Sequence, residues 1–332
     1  TEILPLLVDA DCRVVVTEDK LTPLLEPAAR ELGFTIFATE TTDHRSYDAL
    51  LQPGPVPIVD IDDDDGAFIC YTSGTTGVQK GALLTHRSVI WPAMAKVLAE
   101  GLTGNDRQLV AVPLVFTGAM ISCFMQLTVY TGAAMVLEAD FDPDRYLAMI
   151  EKHRISALTT VPVIWERMVQ SPDFAKADVS SLKSAAVGGA PVRLDLIDAF
   201  RARGVPLIQV YGLTEASGLA ANLRPEDAKD HPGFAGRAIL GTRLRIVDDH
   251  GVTVPTGEIG EIAVAGPHVM KGYWNKPEAT AQTIVDGWLR TGDQGLQDEH
   301  GFLKVVDRTK DMLISGGINV YPAEIEKALT GI

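Results

Sequence analysis

Cysteine is scarce in this chain. The three that occur in 332 residues, Cys12, Cys70 and Cys123, are scattered and odd in number, with no CxxC pair or Cys/His cluster. That excludes a disulfide framework or a zinc site as an organising feature and makes a reducing cytoplasm the default compartment. Basic residues are also in short supply: 29 Lys and Arg stand against 44 Asp and Glu, a formal net charge of −15. So acidic a chain is a poor match for nucleic acid or anionic lipid, where phosphate neutralisation needs excess Lys and Arg. An anionic ligand has to be met by local donors. The N-terminus has no basic stretch followed by an apolar run, hence no signal-peptide pattern. It also has no initiator methionine, which gives the expectation that the chain is part of a longer one.

Charge is absent altogether from Leu109 to Leu137, long enough to meet a crude length rule for a membrane-spanning helix. Pro113, Gly118, Gly132 and several Thr, Ser and Gln residues break that stretch. It therefore reads as strand–helix–strand pieces buried in an α/β core, and the protein as one with no transmembrane segment.

What is present is a globular α/β composition, 46% hydrophobic and 22% charged, with length enough for two or three subdomains. Val14-Val15-Val16 and Phe34-Thr35-Ile36-Phe37 read as strands around a helix over roughly 21 to 32. Asp62 to Asp65 reads as a solvated linker. Ala67 to Tyr71 and Ala82-Leu83-Leu84 are strand-like, and Thr85 is a plausible N-cap for a helix to about Ala99. Strands follow at 109–112, 133–137, 157–160, 184–187 and 207–210, with helices at 144–153, 162–169 and 192–203. This alternation predicts a doubly wound, mostly parallel sheet, whose sites gather at the carboxyl ends of its strands. From about 235 to 306, alternating strands and Asp-rich turns (Asp248 to Gly251, Asp298 to Gly301) predict a small antiparallel sheet or barrel. After Asp311 a strand-like piece, the loop Ser315-Gly316-Gly317 and a helix starting near Pro322 begin something new. The expected division is residues 1–234, 235–309 and 310–332.

The most telling stretch runs from Tyr71 to Gly81, where hydroxyl side chains, glycines and Lys80 follow an apolar strand. Glycines let backbone N–H groups approach an anion, and hydroxyls and lysine add donors for phosphate oxygens. Gly74 and Gly77 are too close together for a Walker A loop, and Lys80 is followed by glycine. Four more segments follow in order: Gly188-Gly189-Ala190-Pro191, Tyr211-Gly212-Leu213-Thr214-Glu215, Leu289-Arg290-Thr291-Gly292-Asp293, and Asp307-Arg308-Thr309-Lys310-Asp311 leading into Ser315 to Pro322. Alone, each has an ordinary reading. Tyr211 is a buried aromatic at a strand end, Thr214-Glu215 a helix cap with an acid complementing the dipole, Asp293 a turn aspartate, Arg308 a surface ion-pair partner and Lys310 a solvated charge.

Together the five segments resemble the adenylate-forming (AMP-binding) superfamily, nearest to its fatty-acid and aryl acyl-CoA ligases, over nearly the whole chain. The resemblance implies a large domain of doubly wound, mostly parallel sheets with an antiparallel β-barrel-like subdomain, then the start of a small α+β C-terminal domain. It implies ATP-dependent activation of a carboxylic acid to an acyl adenylate, then transfer to CoA, with Mg²⁺ screening the two anions. Thr72, Ser73, Gly74, Thr75, Thr76, Gly77 and Lys80 would hold the β- and γ-phosphates, with Gln79 standing where the family usually has proline. Tyr211 and Gly212 would face the adenine beside the backbone of Gly189, Ala190 and Pro191. Thr214 would touch phosphate, and Glu215 would ligate Mg²⁺ through hard carboxylate oxygens. Asp293 would accept from the ribose hydroxyls, Arg308 would reach ribose or phosphate as a fork of donors, and Lys310 would be the hinge. The acyl pocket would draw on Phe116, Val161, Trp165, Gly188 and Leu213, with Phe116 where many relatives carry histidine. His86, at a helix start, reads as structural.

Relatives carry roughly a hundred further residues before this start and a C-terminal domain whose lysine contacts the substrate carboxylate. No residue here matches that lysine. Three rivals stay open at this point: an acyl-AMP ligase loading a carrier protein, a nucleotide-binding protein without catalysis, and a disfavoured P-loop NTPase. The expected partner is a hydrophobic small-molecule carboxylic acid, and a homodimer is an open alternative to a monomer.

Overall fold

In the computed structural model, residues 3–41, 45–51, 53–55, 58–72, 79–110, 112–190, 192–308, 313–315 and 318–320 are described. For 122–124, 126, 127, 307, 308 and the last two segments, that description covers the backbone alone. Contacts divide the chain into two compact units, residues 1 to 62 and residues 63 to 332.

The first unit is a single β–α–β turn. Strand β1 (Val14–Glu18) pairs in parallel with β2 (Thr35–Thr39). Helix α2 (Thr22–Leu32) crosses between them and stops at Gly33, whose φ of 80° closes it in the left-handed region glycine tolerates. Helix α1 (Ile3–Asp9) precedes β1. Leu25, Phe34 and Ile36 form its small core, with Leu7, Val15, Ala28 and Ala29 against them.

The second unit contains the expected doubly wound sheet. Strands β5 (Arg107–Val110), β6 (Ala134–Leu137), β7 (Ala157–Thr160), β8 (Ser184–Val187) and β9 (Leu207–Tyr211) are all parallel. Antiparallel β10 (Ala221–Asn222) and β11 (Arg237–Ala238) extend the β9 side. The seven lie in the order β11-β10-β9-β8-β7-β5-β6. Helices α5 (Pro143–His153), α6 (Pro162–Gln170) and α7 (Leu194–Arg201) share one core with the sheet, through Tyr146, Ile150, Trp165, Met168 and Phe200 over Leu109, Leu158 and Val187. Such strands read as near-continuous apolar runs because helices cover both faces.

Helix α3 (His86–Glu100) lies on the other face and begins where the sequence placed it. Thr85 accepts from the Ser88 amide while Ser88 caps back onto Thr85, a reciprocal capping box worth about 1 kcal/mol. The acidic run before it stays exposed but is fastened to this helix start. Arg87 holds Asp64 through two hydrogen bonds of 2.9 and 3.3 Å, and its amide donates to the Asp63 carbonyl. The uncharged stretch 109–137 resolves into β5, a helical turn α4 (Thr117–Ala119) that runs into a π-helix (Met120–Val129), and β6. Among the described residues no helix is long and apolar enough to cross a membrane. The π-helical winding has no signature in the sequence pattern.

Two smaller sheets complete the unit. Strand β4 (Lys80–Thr85) pairs with β3 (Gly66–Thr72) on one side and with β14 (Gly272–Tyr273) on the other. Beyond residue 240, β12 (Arg243–Val247), β13 (Gly260–Ala265), β15 (Ile284–Val285), β16 (Trp288–Gln297) and β17 (Leu303–Arg308) form the expected antiparallel sheet. Register breaks at Glu261/Ala263 and Gln294/Gly295 add the local twist that curls it. Helix α8 (Pro277–Thr283) lies between β14 and β15. Leu313–Ser315 and Ile318–Val320 pair as a final antiparallel ladder, β18 and β19. The helix expected near Pro322 lies outside the described residues.

Candidate active site

The site is assembled at strand ends. Thr72 closes β3 and Lys80 opens β4, and the two are direct register partners, with the Thr72 hydroxyl donating to the Lys80 carbonyl at 3.4 Å. They are the base of the β3–β4 hairpin, and in the sequence Ser73, Gly74, Thr75, Thr76 and Gly77 fall between them. Those five, with Pro191 and Lys310, lie outside the described residues.

After β9 the chain makes a tight 3₁₀ turn, Thr214–Ala216, that presents Glu215. Its geometry leaves little choice of sequence. A Cβ on Gly212 would sit 2.3 Å from the Gly218 carbonyl oxygen, and Ser217 closes the turn at a φ of 51°. Gly218 in turn lies against the 117–118 backbone, where a Cβ would come 3.2 Å from the Thr117 carbonyl. The turn carrying Glu215 and the segment after Phe116 are therefore neighbours.

Between the hairpin base and the Glu215 turn runs the segment Met270–Trp274. The Met270 amide donates to the Glu215 carbonyl at 2.9 Å, and the Lys271 and Trp274 amides donate to Leu83 and Gly81 of β4 at 2.9 and 2.7 Å. Within it, Tyr273 touches both charged groups. Its hydroxyl donates to Glu215 Oε1 at 2.8 Å, and Lys80 Nζ stands 5.1 Å from its ring centroid, within cation–π range. Thr72, Lys80, Tyr273 and Glu215 thus form one cluster.

A second cluster lies beside it. The buried Tyr211 hydroxyl donates to Asp293 Oδ2 at 2.7 Å. Asp293 sits on β16 opposite Arg308 of β17, its register partner. The residues before Asp293 anchor it. Arg290 is paired with Glu261, the Gly292 amide donates to Glu261 Oε1 at 2.9 Å, and Thr291 donates to the Ile262 carbonyl at 2.7 Å. The Thr291 hydroxyl also receives the Asp293 amide at 3.1 Å. The five-residue motif is thus one aspartate and the means of holding it.

The loop after β8 closes the arrangement. Gly188 lies so near β9 that a Cβ would meet Val210 at 2.9 Å, and exposed Gly189, at φ 83°, faces Val161. Ala190 follows half-buried. Of the expected pocket residues, Val161, Gly188 and Leu213 are partly accessible, and Phe116 is 42% exposed. Trp165 is different: it is wholly buried, edge-on to Phe200 at 4.9 Å, and its indole N–H donates to the Ala186 carbonyl at 3.2 Å. It is a core residue of α6 and presents no open wall. His86 begins α3 with its amide on the Asp65 carbonyl.

Among the described residues no three His, Cys, Asp or Glu side chains gather as a metal-binding group. One hard carboxylate, Glu215, beside phosphate-type donors still fits Mg²⁺, which commonly binds through one or two carboxylates with the rest supplied by phosphates and water. Tyr273 and the Arg290–Glu261 pair were not singled out from sequence. The only signal for the pair is that Arg290 shares the Asp293 motif. Tyr273 has no such neighbour.

A sequence model described as "AMP-binding enzyme" matches residues 1–274. The chain is 41% identical over 268 residues to a feruloyl-CoA synthase from an Amycolatopsis species, covering 81% of this chain and 54% of that protein. It is 40% identical over 332 residues to an indoleacetate–CoA ligase of Aromatoleum aromaticum, covering 98% of this chain and 64% of the other. Its structure superposes on apo MatB from Rhodopseudomonas palustris with a TM-score of 0.86 at 32% identity, covering 98% of this chain and 64% of that one. The chain spans between half and two thirds of the length of these relatives.

Proposed function

The chain belongs to the AMP-binding enzyme family, and on that premise we propose that the full-length protein is an AMP-forming acyl-CoA ligase acting on a hydrophobic carboxylic acid. One observation carries the reading: Tyr273 contacts both Lys80 and Glu215, so a cation and a hard carboxylate share one side chain at the base of the β3–β4 hairpin, beside a stretch whose sequence is rich in hydroxyls and glycines. Metal-bound polyphosphate calls for that combination.

In the first half-reaction a carboxylate oxygen of the acid bonds to the α-phosphorus of ATP. The α–β P–O bond breaks, and pyrophosphate leaves with the electron pair. In the second, the CoA sulfur, its proton given to solvent, attacks the acyl carbon, and the C–O bond to AMP breaks. Thr72, Lys80 and the loop 73–77 bind the β- and γ-phosphates, and Thr214 takes a phosphate oxygen. Mg²⁺, held by Glu215, would neutralise charge on the phosphates. Tyr211 and Gly212, with Gly189, Ala190 and Pro191, receive the adenine. Asp293 and Arg308 receive the ribose, and Lys310 is the pivot of a closing domain. Phe116, Val161, Gly188 and Leu213 line the acyl pocket, from which the buried Trp165 is dropped. The aromatic acids in the two relatives' names support a hydrophobic substrate.

The test is exchange of labelled pyrophosphate into ATP by the full-length protein. Exchange is expected only when a hydrophobic acid is present, followed by CoA-dependent release of AMP. No exchange with any acid overturns the reading. AMP release without CoA, with adenylate accumulating, replaces it with an acyl-AMP ligase.

A further inference from the structure

The contact of one tyrosine with both charged groups of the site goes beyond the roles assigned above. We propose that Tyr273 is a positioning residue that holds the Glu215 carboxylate and the Lys80 ammonium in separate, fixed places, so that each meets its own part of a metal–polyphosphate ligand. The proposal rests on the reading of Glu215 and Lys80 just given.

An ammonium and a carboxylate in one pocket attract each other, and a direct ion pair would consume both. A tyrosine between them changes that outcome because its two ends differ. The ring face attracts a cation, while the hydroxyl donates to a carboxylate. Both uses occur here: Lys80 Nζ lies 5.1 Å from the ring centroid, and the hydroxyl is 2.8 Å from Glu215 Oε1. The hydroxyl engages one carboxylate oxygen and orients the other.

The backbone makes this arrangement stiff. Tyr273 pairs with Ala82 of β4, the strand that Lys80 opens. Its amide donates to the Thr280 hydroxyl at 2.8 Å, and that hydroxyl donates to the Lys276 carbonyl at 3.0 Å, tying β14 to α8. Three residues before Tyr273, the Met270 amide holds the Glu215 carbonyl. The strap is therefore fixed to the lysine strand and to the glutamate turn, and its tyrosine repeats both links with its side chain. A side chain serving packing alone would not need its hydroxyl on the glutamate.

The experiment measures binding by the full-length protein without acid substrate. Mn²⁺ replaces Mg²⁺ so that metal affinity in the presence of ATP can be read by electron paramagnetic resonance. Tyr273→Phe keeps the ring and removes the hydroxyl. It should weaken Mn²⁺ binding about ten-fold, the scale of one hydrogen bond to a charged group, and leave AMP binding unchanged. In a Glu215→Gln background the same substitution should have no further effect on Mn²⁺, because the hydroxyl acts through that carboxylate. Tyr273→Leu, which also removes the ring, should additionally weaken metal-free pyrophosphate, the ligand left to Lys80.

Wild-type Mn²⁺ affinity in Tyr273→Phe overturns the proposal. So does an equal loss in the Glu215→Gln background, or a loss of AMP binding that follows a fall in thermal stability, since each marks Tyr273 as a packing residue. If Tyr273→Leu matches Tyr273→Phe for pyrophosphate, the role of the ring fails. Failure of the wild-type protein to bind Mn²⁺ with ATP is a separate result and sinks the functional reading beneath.

Discussion

His268 lies between β13 and β14, fully buried, with Nδ1 3.1 Å from the Thr242 hydroxyl and no protein partner at Nε2. Burial disfavours the imidazolium and lowers its pKa from 6.5 to about 4. The sign of the consequence is fixed. Between those two values the unfolded chain binds a proton that the folded protein does not, so the stabilisation is complete above pH 6.5 and is lost as pH falls from 6.5 toward 4. Over the whole window it amounts to about 3 kcal/mol. Urea unfolding at pH 7 and pH 5 should show a drop that His268→Gln largely removes, because glutamine has no proton to gain. Parallel pH profiles for the two proteins would show that His268 is accessible and titrates normally. The effect touches the site through position: Met270, two residues on, holds the Glu215 backbone, so acid should loosen the strap.

Helix α3 shows at the scale of an element what sequence conveys and what it hides. Its start was legible because Thr85 and Ser88 act within four residues. Its far end was not. Lys96 and Glu100, spaced i and i+4, look like a solvated surface pair in any helical reading, yet both are buried, with Nζ 2.6 Å from Oε1. The strands beneath complete the network. Lys96 donates to the Thr159 hydroxyl at 3.1 Å, and Glu100 accepts from Asn222 at 2.8 Å and from the Ser184 hydroxyl. Partners lying 63 to 122 residues away cannot be seen in a local pattern. Lys96→Met should cost about 3–5 kcal/mol in chemical denaturation, because it leaves a carboxylate buried without its cation. Adding Glu100→Gln should restore part of that loss. A change under 1 kcal/mol in the single variant would show that water reaches the pair. The candidate site divides the same way. Glu215 and Asp293 stood out only because each lies in one of five ordered segments that together resemble a known family; alone, each had an ordinary reading as a helix cap or a turn aspartate. Tyr273 became visible only once β14 paired with β4, about 190 residues earlier in the chain. Trp165 and Val161 lie in one apolar string, and only the packing of α6 against Phe200 separates core from accessible loop.

At the scale of the whole chain, the relevant quantity is a formal net charge of −15, set against the ligands proposed above, which are all anions. On the proposed function, a chain of that charge offers no long-range attraction to ATP, CoA or a carboxylate, so selection would have to come from short-range contacts. For ATP the proposal places those at the cluster around Lys80 and Glu215. For the acid they are apolar: Phe116 to Met120, Val161 to Trp165 and Leu213 to Gly218 contain no charged residue except Glu215. Phe116, Val161 and Leu213 are all at least partly accessible. An apolar wall contributes about 0.8 kcal/mol per buried methylene, so kcat/KM should rise roughly four-fold with each added methylene until the pocket ends. A second carboxylate or an ammonium would enter that wall without a partner, at a cost of several kcal/mol, and the second carboxylate would also face the negative surroundings. A panel of acids assayed for CoA-dependent AMP release should therefore rank octanoate or benzoate far above acetate, malonate and alanine. A preference for malonate or an amino acid would mean that a charged side chain outside the described residues reaches the pocket, and the apolar assignment would fall while the adenylating chemistry stood.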